Sequence, residues 1–395
     1  MGHRAGSIWH VPGMRALAWA SLTGFSGYAA LLPVAPLWVV RGGADSAGAG
    51  LVNFVLLLAT VVTQFATPAL IRRIGWGHAL AASMVLLGVP AVLHGVTADL
   101  GPVLVLSAIR GVGFGILTVA ISAAAVLLVT PDRRGAAVGA YSLAISIPLV
   151  ALMPTGVWVA DSWGFWPVFV VSGLSLLGIP ACYLVARHLP VRSMHDPAHP
   201  APAEPGRLPR RTVGALVTPS AMLLAITLAG GALITFAPQM VAVGWLATIG
   251  LLAMSTTSAL TRWRVGAIAD RVGSGRLLWP FVITAVVGLA AVAWLVRGPV
   301  EPSQVVPWLL ACALVGAGYG GLQNLTMLRA FEAAGPGAVG AASAVWNAGF
   351  DTGTAIGSAT VGAVAVASGF GVGMGLTAAL CVLTLPLALA ARPRR

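Results

Sequence analysis

Apolar residues run through this chain in blocks that are long, unbroken and separated by short polar loops. Stretches of 18 or more predominantly apolar residues recur along nearly all 395 positions, each long enough to cross about 30 Å of hydrocarbon as a helix. Twelve are predicted, centred near residues 27, 60, 87, 116, 147, 175, 228, 251, 286, 315, 351 and 381. One interruption is longer than the rest. There Pro190, Pro197, Pro200, Pro202, Pro205 and Pro209 prevent a continuous helix. The pattern predicts an all-α polytopic membrane protein with twelve transmembrane helices in two pseudo-symmetric six-helix bundles. Residues 1–187 form the first bundle, 188–213 a cytoplasmic Pro-rich linker and 214–395 the second bundle.

The composition, 58% hydrophobic and 8% charged, lies far outside soluble norms. The net charge of +12 would suit a nucleic-acid partner if it were clustered on a soluble face. Its placement argues otherwise. All 22 basic residues are Arg. With the amino terminus inside, Arg41 and Arg297 fall in external loops, Arg110 lies within a span, and the others fall in cytoplasmic segments. This positive-inside bias predicts a multi-pass protein of the cell inner (plasma) membrane with both termini cytoplasmic, and no nucleic-acid partner. Without lysine the chain has no Walker A phosphate loop and no Schiff-base chemistry. Cys182, Cys312 and Cys381 stand alone in apolar runs and read as small hydrophobes. His195 and His199 sit in the Pro-rich segment and are not read as a metal site, so neither cofactor nor metal is expected. The apolar run after Arg15 exceeds a signal-peptide core and is read as a retained first span.

The halves look related. Gly111, Gly113 and Gly115 recur 205 positions later as Gly316, Gly318 and Gly320, with Phe114 against Tyr319 and Pro131 against Pro336 at the same offset. Duplicated halves mark transporters that expose a site at the repeat interface to each side in turn. Between the eighth and ninth spans stands Gly266-Ala-Ile-Ala-Asp270-Arg271-Val-Gly273-Ser-Gly-Arg276. Gly266 permits close helix approach, Asp270 can pair with an Arg or face a helix amino terminus, and Arg271 and Arg276 hold the loop inside. This spacing resembles the cytoplasmic loop signature of the major facilitator superfamily of secondary transporters. With twelve spans and a central linker, the resemblance covers essentially the whole chain. It implies that Asp270 latches the cytoplasmic side of the outward-facing state, with Arg133 or Arg134 as partner; a solvated turn is the alternative. The first half departs from the family pattern, with Pro68 in place of the first glycine and Arg72 in place of the acid. Its usual latch cannot form, and a reversed pairing of Arg72 or Arg73 with Glu332 is expected instead.

Two ionisable residues fall inside spans, where insertion of Asp or Arg costs about 2.5–3.5 kcal/mol. Asp351 is near the centre of the eleventh span. Ser343, Asn347, Asp351, Thr354 and Ser358 share one helical face there. Asp351 is either a proton carrier or is held by Asn347 or another helix as structural glue. Arg110 resembles the family's buried arginine of the fourth span, which is associated with proton coupling; snorkelling to the outer surface is the alternative. Tyr28, Tyr319, Gln323 and Asn324 are candidates to line a cavity, as are Asn53, Gln64 and Tyr141, although mid-membrane amides often serve helix packing.

These readings lead to a proton-coupled transporter exporting small, mostly apolar or amphipathic molecules by alternating access, as a monomer in the lipid bilayer with protons as the coupling partner. Uptake of a small nutrient by symport is the second reading, because the fifth span (Ser146-Ile-Pro148, Met153-Pro154-Thr-Gly156) lacks the Gly-Pro pair common in drug exporters of the family. A lipid-modifying enzyme is the third. It lacks clustered carboxylates, a His set or a nucleophile–base pair, so no enzymatic role is expected.

Overall fold

A computed structural model describes residues 8–130, 133–189, 210–334 and 339–391. Its helices are α1 (Met14–Arg41), α2 (Ser46–Leu93), α3 (Leu100–Leu127), α4 (Arg134–Ser162), α5 (Phe165–Ser172), α6 (Ile179–His188), α7 (Arg210–Phe236), α8 (Gly244–Val272), α9 (Ser274–Leu295), α10 (Val305–Ala334), α11 (Val339–Leu383) and α12 (Leu385–Ala390). Extended structure among the described residues amounts to an isolated bridge, Val241 to Val300. The chain is an all-α membrane protein.

Among the described residues, nine helical segments are long and apolar enough to cross a membrane. Two are far longer than one crossing needs: Ser46–Val96 has 51 residues and Ala342–Ala390 has 49. A straight helix of the first length would span roughly 75 Å. Each is instead broken at one glycine, Gly75 (φ 82°, ψ 164°) in α2 and Gly369 (φ 82°, ψ 163°) in α11. That region of backbone space is essentially open to glycine alone. Both breaks are hairpins. Gly111 and Gly113 of α3 abut Leu56 and Leu86 respectively, which only folded-back arms of α2 allow, and Gly373 touches Val361 across the break in α11. The helix α8 falls outside the nine segments, because Ser255, Thr256, Thr257 and Ser258 and its arginines lower its hydropathy. Segments α5 and α6 join through a 3₁₀ stretch, Gly173–Gly178, into one rod.

The sequence repeat reappears in the packing. Gly111 and Gly115 lie against the carbonyls of Leu56 and Thr60 on α2; Gly316 and Gly320 lie in the same way against those of Met254 and Ser258 on α8. A hydroxyl completes each contact: Thr60 donates to Gly111 O at 3.1 Å and Thr257 to Ala313 O at 3.0 Å. Lipid tails are as apolar as leucine, so close backbone approach and such hydrogen bonds hold the helices together. The single-residue turns also pair across the halves. Gly75 matches Gly273 (φ 89°), and Gly164 (φ 87°) matches Gly369. Between the halves, α2 packs on α11, α4 on α8 and α1 on α7.

Candidate functional site

Among the described residues, side-chain hydrogen bonds between the halves lie from mid-helix to the end of the molecule remote from the termini. At that far end, Ser46 Oγ donates to Gln239 Oε1 at 3.2 Å, and Gly50 and Gly362 abut the carbonyls of Ser358 and Ser46. Deeper in, Asn53 Nδ2 donates to Leu32 O and to Thr235 Oγ1, both at 2.9 Å, and Thr235 meets Ser358 at 3.0 Å. Asn53 is therefore a packing residue that pins α1, α2 and α7.

Below this seal lies Asp351, 6% exposed, whose Oδ2 accepts a 2.8 Å hydrogen bond from Gln64 Nε2 of the opposite half. The same amide nitrogen lies 3.4 Å from Thr118 Oγ1. The predicted polar face of α11 is present, and its burial is graded. Ser358, Thr354 and Asp351 are buried, whereas Asn347, one turn nearer the terminal end, is exposed and donates to Ser343 O at 2.8 Å. Asn347 does not hold Asp351; another helix does. The polar face of α2 follows the same gradient, with Asn53 and Thr60 buried and Gln64 partly exposed.

Arg110 is 1% exposed, and its Nη2 donates to Gly27 O of α1 at 3.2 Å. It neither pairs with Asp351 nor snorkels to the surface, because its side chain turns inward to a carbonyl. Its Nε has no partner among the described residues. Tyr28 stacks on Phe114 with centroids 3.8 Å apart and planes 5° apart. Tyr319, beside Phe350 at 6.2 Å, lies against Gly230. Both tyrosines are close enough to Asp351 to feel its charge. Tyr28, Tyr319 and Asp351 thus face one region.

One residue of the site departs from its sequence reading. The charge pattern puts Arg262 among the cytoplasmic arginines, yet it lies within α8, about 15 Å in from Val272 at 1.5 Å per residue. Its Nη1 donates to Gln323 Oε1 at 3.3 Å, and Asn324 Nδ2 donates to Arg262 O at 3.0 Å. Asn324 Oδ1 has no partner among the described residues, and the Gln323 amide lies next to the Tyr319 hydroxyl. The signal that finds Arg262 is the repeat: it precedes Gly273 by as many residues as Gln64 precedes Gly75.

The loop motif divides. Gly266 faces Asn324, Gly273 makes the α8–α9 turn, and Arg271 and Arg276 are exposed. The side chains of Asp270 and Arg134 lie outside the described residues, so the Asp270 latch to Arg133 or Arg134 stays an expectation. The reversed latch is not formed. Glu332 pairs with Arg329 one turn away at 2.9 Å and accepts from Ser274 Oγ at 2.8 Å, while Arg72 and Arg73 are exposed. Partners on its own helix and on α9 satisfy the carboxylate locally.

Two solved structures share this architecture across nearly their whole length. A single-site mutant of the nucleoside transporter NupG superposes with a TM-score of 0.75 at 14% identity, covering 96% of this chain and 99% of that one. A bacterial homolog of the human lysosomal transporter Spinster, inward-facing and unoccupied, gives 0.74 at 15% identity, covering 99% and 98%. At such identities the likeness shows the fold. No curated protein matches in sequence. The family profile described as Major Facilitator Superfamily matches residues 17–358. The chain belongs to the Major Facilitator Superfamily: it is a membrane transporter and not an enzyme.

Proposed function

We propose that this transporter exports small, mostly apolar or amphipathic molecules from the cell by proton-coupled alternating access, acting as a monomer. Its two halves cross the plasma membrane six times each, with both termini cytoplasmic. The observation that carries this reading is the Gln64–Asp351 hydrogen bond, which bridges the halves where burial gives way to exposure. The far end is sealed and the polar faces of α2 and α11 open toward the terminal end, which supports a cytoplasm-facing state. A carboxylate at mid-membrane is costly unless neutralised. Protonation of Asp351 removes that charge and lets the halves re-pack, with Gln64 able to serve either form because its amide both donates and accepts. Each proton moving down the membrane potential supplies about 2.3 kcal/mol per 100 mV.

The test is accumulation of a panel of labelled compounds by cells expressing the chain, with and without an uncoupler. Uncoupler-sensitive depletion from the cells is the expected result. Uncoupler-sensitive gain would replace export by uptake symport, and flux indifferent to the uncoupler would remove proton coupling.

A further inference from the structure

Arg262 has a charge that the described protein does not answer. Among the described side chains the ion pair is Arg329–Glu332, and no carboxylate lies within 4.0 Å of Arg262. Asp270 is two turns further along the same helix, about 12 Å away in rise. Of the five N–H donors a guanidinium presents, the structure engages the one to Gln323. Beside it stands Gln323, 3% exposed, whose amide lies next to the Tyr319 hydroxyl. Tyr141 of α4 and Tyr319 of α10 lie within electrostatic reach. The guanidinium has N–H donors to spare, and among the described side chains no anionic acceptor meets them.

The repeat explains the placement. Gln64 with Thr118 occupies in the first half the positions that Arg262 with Gln323 occupies in the second. Gln64 reaches across to Asp351 of the other half, and Tyr141 of the other half lies within electrostatic reach of Arg262. Gln64, which holds Asp351, and Arg262 are therefore related positions in the two halves.

We infer that Arg262 is the seat for a carboxylate on the transported molecule, so that the substrate class is small amphipathic organic acids. The inference rests on the transporter reading above and narrows it. A carboxylate offers two oxygens to a guanidinium fork, a geometry a neutral polar group does not match. Arg110, buried in the other half, donates to Gly27 O instead. Tyr319, within electrostatic reach of Arg262 and in ring contact with Phe350 at 6.2 Å, offers apolar surface beside the seat.

The purified full chain in detergent is titrated with matched pairs, phenylacetate against phenylacetamide and 4-phenylbutyrate against 4-phenylbutyramide, and thermal stability is read. The acids are expected to stabilise the wild type more than their amides. Arg262→Gln should weaken apparent affinity for the acids about tenfold or more, the scale of a lost charge-assisted hydrogen bond, while leaving the amides unchanged. Arg262→Lys, which keeps the charge, should retain part of the preference and guards against misfolding of the Gln variant. Acids and amides binding alike, neither binding, or an unchanged preference in Arg262→Gln would overturn the assignment. Uncoupler-sensitive flux of neutral compounds would survive that failure, whereas absence of all such flux would mark failure of the transporter reading itself.

Discussion

A neutral side chain of nearly the same shape at position 351 isolates what the charge there does. Asp351→Asn keeps an acceptor for Gln64 and removes a mid-membrane charge whose insertion costs about 2.5–3.5 kcal/mol. The variant is expected to reach the membrane at wild-type levels, melt no lower than the wild type, and lose uncoupler-sensitive transport. Flux measured beside thermal melting checks this; unchanged uncoupler-sensitive flux would move the coupling role elsewhere. Residues of this kind are legible in the sequence because a charge in a long apolar run stands out. Asp351 and Arg110 are such residues, and both are buried. Arg262 is not legible, because Arg264 and Arg271 follow it closely and its helix continues without a break into the loop signature. Nothing local separates an arginine deep in α8 from one at its end. Partners are not legible either: the amide that holds Asp351 is 287 positions away in the chain.

At the scale of the element, glycine does two separable jobs. Gly75 and Gly369 have open space where a side chain would stand, so replacement by Ala acts through the backbone alone. Each is expected to destabilise by about 1–3 kcal/mol, read as a lower melting temperature. Gly320 has an ordinary helical backbone but lies against Ser258 O, so Gly320→Val forces α10 away from α8 and should lower both stability and yield of folded protein, by about 1–3 kcal/mol or more. Gly375→Ala, in open space, is the neutral control. The glycine repeat in α3 and α10 can be read from spacing because both copies keep one register. The hairpin turns cannot be bounded that way. A reversal made by a single glycine leaves almost no polar loop to mark it, as around Ala367, Ser368, Gly369 and Phe370.

The whole molecule has two ends, and the transporter reading puts them on opposite faces of the membrane. Cysteines introduced at Asp99 and Glu301, on the far end, should react with an impermeant thiol reagent in intact cells. Those at Arg73 and Arg271 should react only after permeabilisation. The native Cys182, Cys312 and Cys381 are buried and contribute little background. Overall architecture is the most legible level, because span length is set by the bilayer itself. Which faces of the two halves meet is not, since that depends on contacts between residues far apart in the chain. The claim on which the rest depends is that the halves rock about the central region, and spin-label distances test it most directly. One pair bridges the far end, Trp163 with Arg297, and the other bridges the terminal end, Arg73 with Arg271. On acidification in the presence of transported compound, rocking predicts that the far-end distance lengthens while the terminal-end distance shortens. Distances that stay fixed, or change in the same direction at both ends, would contradict it.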